Sequence, residues 1–148
     1  MNNIFLYRPI EILLVEDSPS DAKLTIKQLK AAKVINHIHW VEDGETAMAF
    51  LRRKEPYTNS KRPDLILLDL NLPGLDGREV LSIVKSDPDL KRIPVVILTT
   101  SADEADVLKS YNLNANCYVT KPVDIQQFME VINLMTDFWL AAVRLPSR

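Results

Sequence analysis

Glycine is scarce in this chain: three in 148 residues, Gly44, Gly74 and Gly77. None of them builds a glycine-rich loop after the first apolar segment, which argues against a nucleotide-binding domain. Cysteine is scarcer still. Cys117 stands alone, which rules out an internal disulfide and any cysteine-rich metal site. It reads as a small core residue rather than a redox centre. There is no basic excess: 18 Lys and Arg against 20 Asp and Glu leave a net charge of −2. That balance argues against direct binding of nucleic acid. Long apolar runs are also missing. Ile4-Phe5-Leu6-Tyr7 is too short for a signal peptide or a membrane span and runs into Arg8-Pro9. The chain is therefore expected in the cytoplasm, with no membrane partner. It has no low-complexity segment and no repeat beyond a recurring strand–helix unit.

What is present suits a folded domain. Hydrophobic residues make up 47% and charged residues 26% of the chain, and its length fits one domain better than two. Residues 1–148 are expected to form that one domain. Ile12-Leu13-Leu14-Val15 reads as a strand buried on both faces, followed by Glu16-Asp17. Ser18 then predicts a helix cap, Pro19 the first helical position and Asp21 a first-turn acid. Ala22, Ile26, Leu29 and Ala32 recur at helical spacing. His37 to Val41 predicts a second strand. Asp43-Gly44 opens a second helix that turns Ala47, Phe50 and Leu51 inward and has Arg52-Arg53-Lys54 near its end. Residues 55–63, with two prolines, predict a surface loop.

The run Leu65-Ile66-Leu67-Leu68 is a third buried strand, closed by Asp69. Asp76-Gly77 opens a third helix with Val80, Leu81 and Val84 inward. Val95 to Leu98 is a fourth strand ending at Thr99-Thr100-Ser101. A helix over about 103–111 follows, closed by Asn112 and Asn114, since asparagine tolerates the left-handed conformation. Cys117-Tyr118-Val119 is a short fifth strand, with Lys121-Pro122 after it. Asp124 caps a last helix carrying Ile125, Phe128, Val131, Ile132, Met135 and Phe138. Five strands alternating with five helices predict an α/β fold: one parallel, doubly wound sheet with helices on both faces.

Parallel strands share one carboxyl-terminal rim, where ligands collect in open α/β sheets. That rim gathers Glu16, Asp17, Asp69, Thr99 and Lys121. Two carboxylates ~4 Å apart repel by about 4 kcal/mol at an effective dielectric of roughly 20, so three converging ones call for a cation. An all-oxygen site with few protein ligands suits Mg²⁺ beside phosphate. Lys121 and Thr99 offer a charge and a donor to phosphate oxygens. Phosphoryl transfer to a carboxylate nucleophile uses all of these groups.

These residues resemble the receiver domain of two-component response regulators, over about residues 10–137, with short extensions at both ends. The resemblance implies a flavodoxin-like sheet in the order 2-1-3-4-5. It implies Asp69 as phosphoacceptor, and Lys121, before a cis-proline, as the phosphate-binding lysine. Thr99 and Tyr118 match the hydroxyl and aromatic switch residues. Mg²⁺ would be held by Asp17, Asp69 and the Asn71 carbonyl, with Glu16 acting through water. Thr100, Ser101 and the Asn71 side chain lie beside the expected water path and are expected to set the phosphoaspartate lifetime. Two departures stand out: Asn114 replaces a usual glycine, and the acidic pair begins with Glu. The 55–63 loop, the Thr99-Thr100-Ser101 triplet, the Asn-rich stretch before Tyr118 and Phe138-Trp139-Leu140 look most like single-domain regulators of cyanobacterial phytochromes.

The expected function follows from that resemblance. The chain takes a phosphoryl group on Asp69 from a sensor histidine kinase of phytochrome type. It signals through protein contacts, with no DNA-binding output domain of its own, and is no enzyme beyond assisting its own phosphorylation and slow dephosphorylation. A non-phosphorylated interaction module is the competing reading, and the intact set of rim residues argues against it. An aspartate-nucleophile phosphatase would want an acid at position 71, where Asn71 stands. His37 and His39 share a strand face without a third ligand and read as surface residues. The basic clusters at 52–54, 61–62 and 91–92 read as solvated faces rather than a kinase-docking site. Phe138, Trp139 and Leu140 are consecutive, so one helix face cannot bury all three. They are expected to form a homodimer surface, against the alternative that the tail folds back over the domain.

Overall fold

The computed structural model describes residues 9–31, 36–99 and 117–134, with the side chains of Cys117 and residues 131–134 excepted. Its strands are β1 (Ile10–Val15), β2 (Asn36–Val41), β3 (Leu65–Asp69), β4 (Val95–Thr99) and β5 (Cys117–Thr120). Its helices are α1 (Pro19–Lys30), α2 (Gly44–Leu51), α3 (Gly77–Ser86) and α4 (Ile125–Leu134), with a short 3-10 turn at Leu90–Arg92. All strand pairs are parallel, and the sheet order is β2-β1-β3-β4-β5. That is the expected flavodoxin-like order. The helix expected over about 103–111 lies outside the described residues.

Period-two alternation explains the two cores. Leu13, Val15, Ile66, Leu68, Val95 and Ile97 turn to one face and meet Ala47 and Phe50 of α2 and Val80, Leu81 and Val84 of α3. Ile12, Leu14, Leu65, Leu67, Val96 and Leu98 turn to the other and meet Ala22 and Leu29 of α1 and Phe128 of α4. Both faces are covered, so β3 and β4 are apolar at nearly every position.

The helix starts follow their sequence signals. Ser18 Oγ accepts from the Asp21 amide at 3.3 Å, with Pro19 in the first turn. Asp43 accepts from the Thr46 amide at 2.7 Å. Asp76 and Glu79 form a reciprocal capping box at the start of α3. In α1 the inward face includes Thr25 as well as Ala22 and Leu29.

Register places the rim. Val15 pairs with Leu68, Asp69 with Leu98 and Thr99 with Thr120. Glu16 therefore leaves β1 level with Asp69, and Lys121 leaves β5 one step past Thr99. The Lys121–Pro122 peptide is cis, and so is Glu55–Pro56. Gly77 lets α3 begin hard against the end of β3, for a Cβ there would collide with the Asp69 carbonyl oxygen and Leu70 Cα. Gly77→Ala is therefore expected to destabilise the protein by ~1–3 kcal/mol in urea unfolding. Helix propensity alone favours alanine by about 1 kcal/mol. A variant as stable as the parent would contradict the close approach.

Candidate functional site

Four strand ends deliver the site. Buried β1 runs straight into Glu16, which is wholly buried, and then into the exposed Asp17. Two contacts hold this exit: the Glu16 amide donates to the Val41 carbonyl at 3.0 Å, and Trp40 Nε1 donates to the Glu16 carbonyl at 2.8 Å. Asp69 closes β3 at 4% exposure, and its Oδ1 accepts from the Asn71 amide at 2.9 Å. Oxygens of Glu16, Asp17 and Asp69 lie within 4.8 Å of one another, close enough to share a metal ion. These are hard oxygen donors with no thiolate or imidazole among them, so the set fits a hard divalent cation.

Lys121 reaches into this cluster from β5. Its ammonium lies 2.9 Å from Glu16 Oε1, 3.1 Å from Asp69 Oδ2 and 3.1 Å from Asp21 Oδ2. Burial alone would lower the Lys121 pKa. The hydrogen bond to Glu16, the Asp69 charge and the Asp21 contact outweigh it and hold the ammonium above its ordinary value. Glu16 goes the other way from most carboxylates. Burial first, then its contact with Asp69, raise it from 4.5 to about 7, although Lys121 opposes the rise. The rim thus sets three carboxyl groups, Glu16, Asp17 and Asp69, around a single ammonium.

Thr99, 1% exposed, ends β4 beside this group, and its carbonyl accepts from the Lys121 amide at 2.6 Å. Tyr118 is half-buried against the core on the α2–α3 side, and burial raises its pKa. Asn71 is exposed on the loop after β3. Glu45 at the start of α2 steadies that loop by accepting from the Leu75 amide at 3.0 Å. Thr100, Ser101, Phe138, Trp139 and Leu140 lie outside the described residues. The structure thus brings Glu16, Asp17, Asp69, Thr99 and Lys121 to one rim, as their strand positions implied.

Two contacts went unread in the sequence. Asp21 was legible only as a helix-start acid, yet its carboxylate meets Lys121 a hundred residues away. Its place four residues after Asp17, in a first turn that faces the same rim, was the available signal. The Trp40 bond to Glu16 had no sequence signal. The histidines behave as surface residues. His37 Nδ1 sits 3.2 Å from Glu11 Oε2, and His39 packs on Phe50 and Tyr57. In the basic clusters, Arg62 pairs with Asp89 at 3.0 Å.

The raised Glu16 pKa has a consequence for metal-free protein. Below about pH 4.5 Glu16 is protonated in the folded and the unfolded chain alike. Between there and about pH 7 only the folded chain holds the proton, so stability falls as pH rises through this window. Asp69→Asn removes the contact and charge that help raise Glu16. In EDTA the variant is expected to melt higher than the parent at about pH 8 and to lose less stability between about pH 5 and that point. A lower melting temperature at the higher pH would contradict this charge balance.

Comparison with known proteins agrees with the geometry. Residues 12–133 match the model of the response regulator receiver domain. The chain is 50% identical over 139 residues to response regulator Rcp1 of Synechocystis sp., covering 94% of this chain and 95% of that one. A crystal structure of the phosphorylated cyanobacterial phytochrome response regulator RcpA is similar at a TM-score of 0.72 and 48% identity, over 94% of this chain and 99% of that chain. The bacteriophytochrome response regulator AtBRR is similar at a TM-score of 0.80 and 41% identity, over 85% of this chain and 91% of that chain. The chain belongs to the response regulator receiver family of two-component signalling.

Proposed function

We propose that this chain is a phosphoacceptor switch that takes a phosphoryl group on Asp69 from the phosphohistidine of a phytochrome-type sensor kinase. The observation that carries the reading is the buried Asp69 carboxylate, flanked by the Lys121 ammonium at 3.1 Å and by the Glu16 and Asp17 carboxylates. Similarity to regulators named for phytochromes supports the kinase class. A place in the cytoplasm belongs to the same reading.

Asp17, Asp69 and the Asn71 carbonyl would hold Mg²⁺, with Glu16 acting through water; Rcp1, 51% identical to this chain, has a crystal structure in its Mn²⁺-bound form. The bound ion supplies positive charge that offsets the clustered carboxylates and the incoming phosphate. An Asp69 carboxylate oxygen attacks phosphorus in line. The new O–P bond forms as the P–N bond breaks, and the electron pair returns to the imidazole nitrogen of the donor. Lys121 faces the oxygens over which charge spreads in flight. Burial fixes Asp69 in one orientation and limits access of water to the acyl phosphate. Thr99 then donates its hydroxyl to the new phosphoryl oxygens, and Tyr118, already half-buried, turns inward beside it. This biases a two-state equilibrium of the β5–α4 surface, through which the chain signals by protein contact. Asn71, Thr100 and Ser101 set how fast water reaches the acyl phosphate. Homodimerisation through Phe138, Trp139 and Leu140 belongs to the same reading.

Intact-mass analysis after incubation with acetyl phosphate tests it. The expected result is a Mg²⁺-dependent gain of one phosphoryl group, absent in Asp69→Asn. Exchanging Asn71 or Ser101 is expected to change the decay of that species and leave the site of modification unchanged. An equal gain in the Asp69 variant would overturn the assignment.

A further inference from the structure

An ammonium has three N–H donors, and those of Lys121 are all taken. Glu16 Oε1 and Asp69 Oδ2 accept two at 2.9 and 3.1 Å, and both belong to the acidic cluster. The third goes to Asp21 Oδ2 at 3.1 Å. Asp21 differs from the other two in its place and exposure. It lies on α1 rather than at a strand end, its side chain is 47% exposed, and it stands outside the group of oxygens that can share a metal. Nor is its carboxylate spent on capping α1, because the Ser18 hydroxyl does that by accepting from the Asp21 amide.

We propose that Asp21 is a positioning residue that acts through Lys121, holding the ammonium toward α1 and offsetting part of its charge, so that phosphorylation of Asp69 is slowed. The inference rests on Asp69 being the acceptor. The donor is an anion, and negative charge spreads over the phosphoryl oxygens in flight. Lys121 is the one cationic side chain among the described residues that contacts the acidic cluster. A half-exposed carboxylate 3.1 Å from that cation weakens the field that it presents to an incoming anion. The plainer account makes Asp21 a favourable charge at the start of α1. That account predicts a loss of stability on substitution and no gain in rate.

Initial rates of phosphorylation by limiting acetyl phosphate, at saturating Mg²⁺, separate the two. Asp21→Asn keeps an oxygen acceptor for Lys121 and removes the charge, whereas Asp21→Glu keeps the charge. The asparagine variant is expected to react roughly 3- to 10-fold faster than the parent, an advantage that shrinks as salt screens the charge. The glutamate variant is expected to stay near the parent rate. An asparagine variant no faster than the parent, or a glutamate variant as fast as the asparagine one, overturns the inference and leaves the acceptor reading intact. If parent and Asp21→Asn both gain nothing and match Asp69→Asn, the acceptor reading itself has failed and this inference falls with it.

Discussion

The site depends on one part-buried ammonium, that of Lys121, placed among three carboxyl groups. Glu16 is wholly buried and Asp69 nearly so. Burying such groups costs several kcal/mol each, and even a good ion pair rarely returns all of it. Lys121 touches Glu16, Asp69 and Asp21 together, yet burial, helped by the contact with Asp69, raises the Glu16 pKa to about 7. The cluster is thus a poor device for stability and a good one for attracting positive charge. On the proposed reading a divalent cation would relieve it, and an incoming phosphoryl group would then find charge already in place.

The sheet brings four separate strand ends together in that cluster. Both faces are covered by helices, so the interiors of β3 and β4 are apolar and their polar groups are confined to the ends. Parallel register then brings those ends level, with Asp69 beside Leu98 and Thr99 beside Thr120. Specific contacts hold the segments around the rim. Gly77 admits α3 against the end of β3, Glu45 holds the Leu75 amide, and Trp40 holds the Glu16 carbonyl.

Much of this was legible in the residues themselves. Short apolar runs bounded by turn residues marked the strands, and Ser18, Asp43 and Asp76 marked three helix starts that the structure reproduces. Once the strands were read as parallel, their end residues had to meet, so Glu16, Asp17, Asp69, Thr99 and Lys121 were legible as a group. Long-range partners were not. That Lys121 divides itself between two strand ends and α1 depends on side-chain reach and helix orientation, which periodicity does not encode. The Trp40 bond depends on how an edge-strand indole lies against β1. Partial burial of Tyr118 depends on packing against the α2–α3 side of the core.

On the proposed reading Asp69 receives the phosphoryl group within reach of Lys121 and a cation. A crystal structure with Mg²⁺ and beryllofluoride is the test. Beryllofluoride is expected on an Asp69 carboxylate oxygen, and Mg²⁺ among Asp17, Asp69 and the Asn71 carbonyl. The Lys121 ammonium is expected to turn to a fluorine. An adduct absent from Asp69, or a Lys121 that stays on Glu16 and Asp21 and leaves the adduct without a counter-charge, would contradict it.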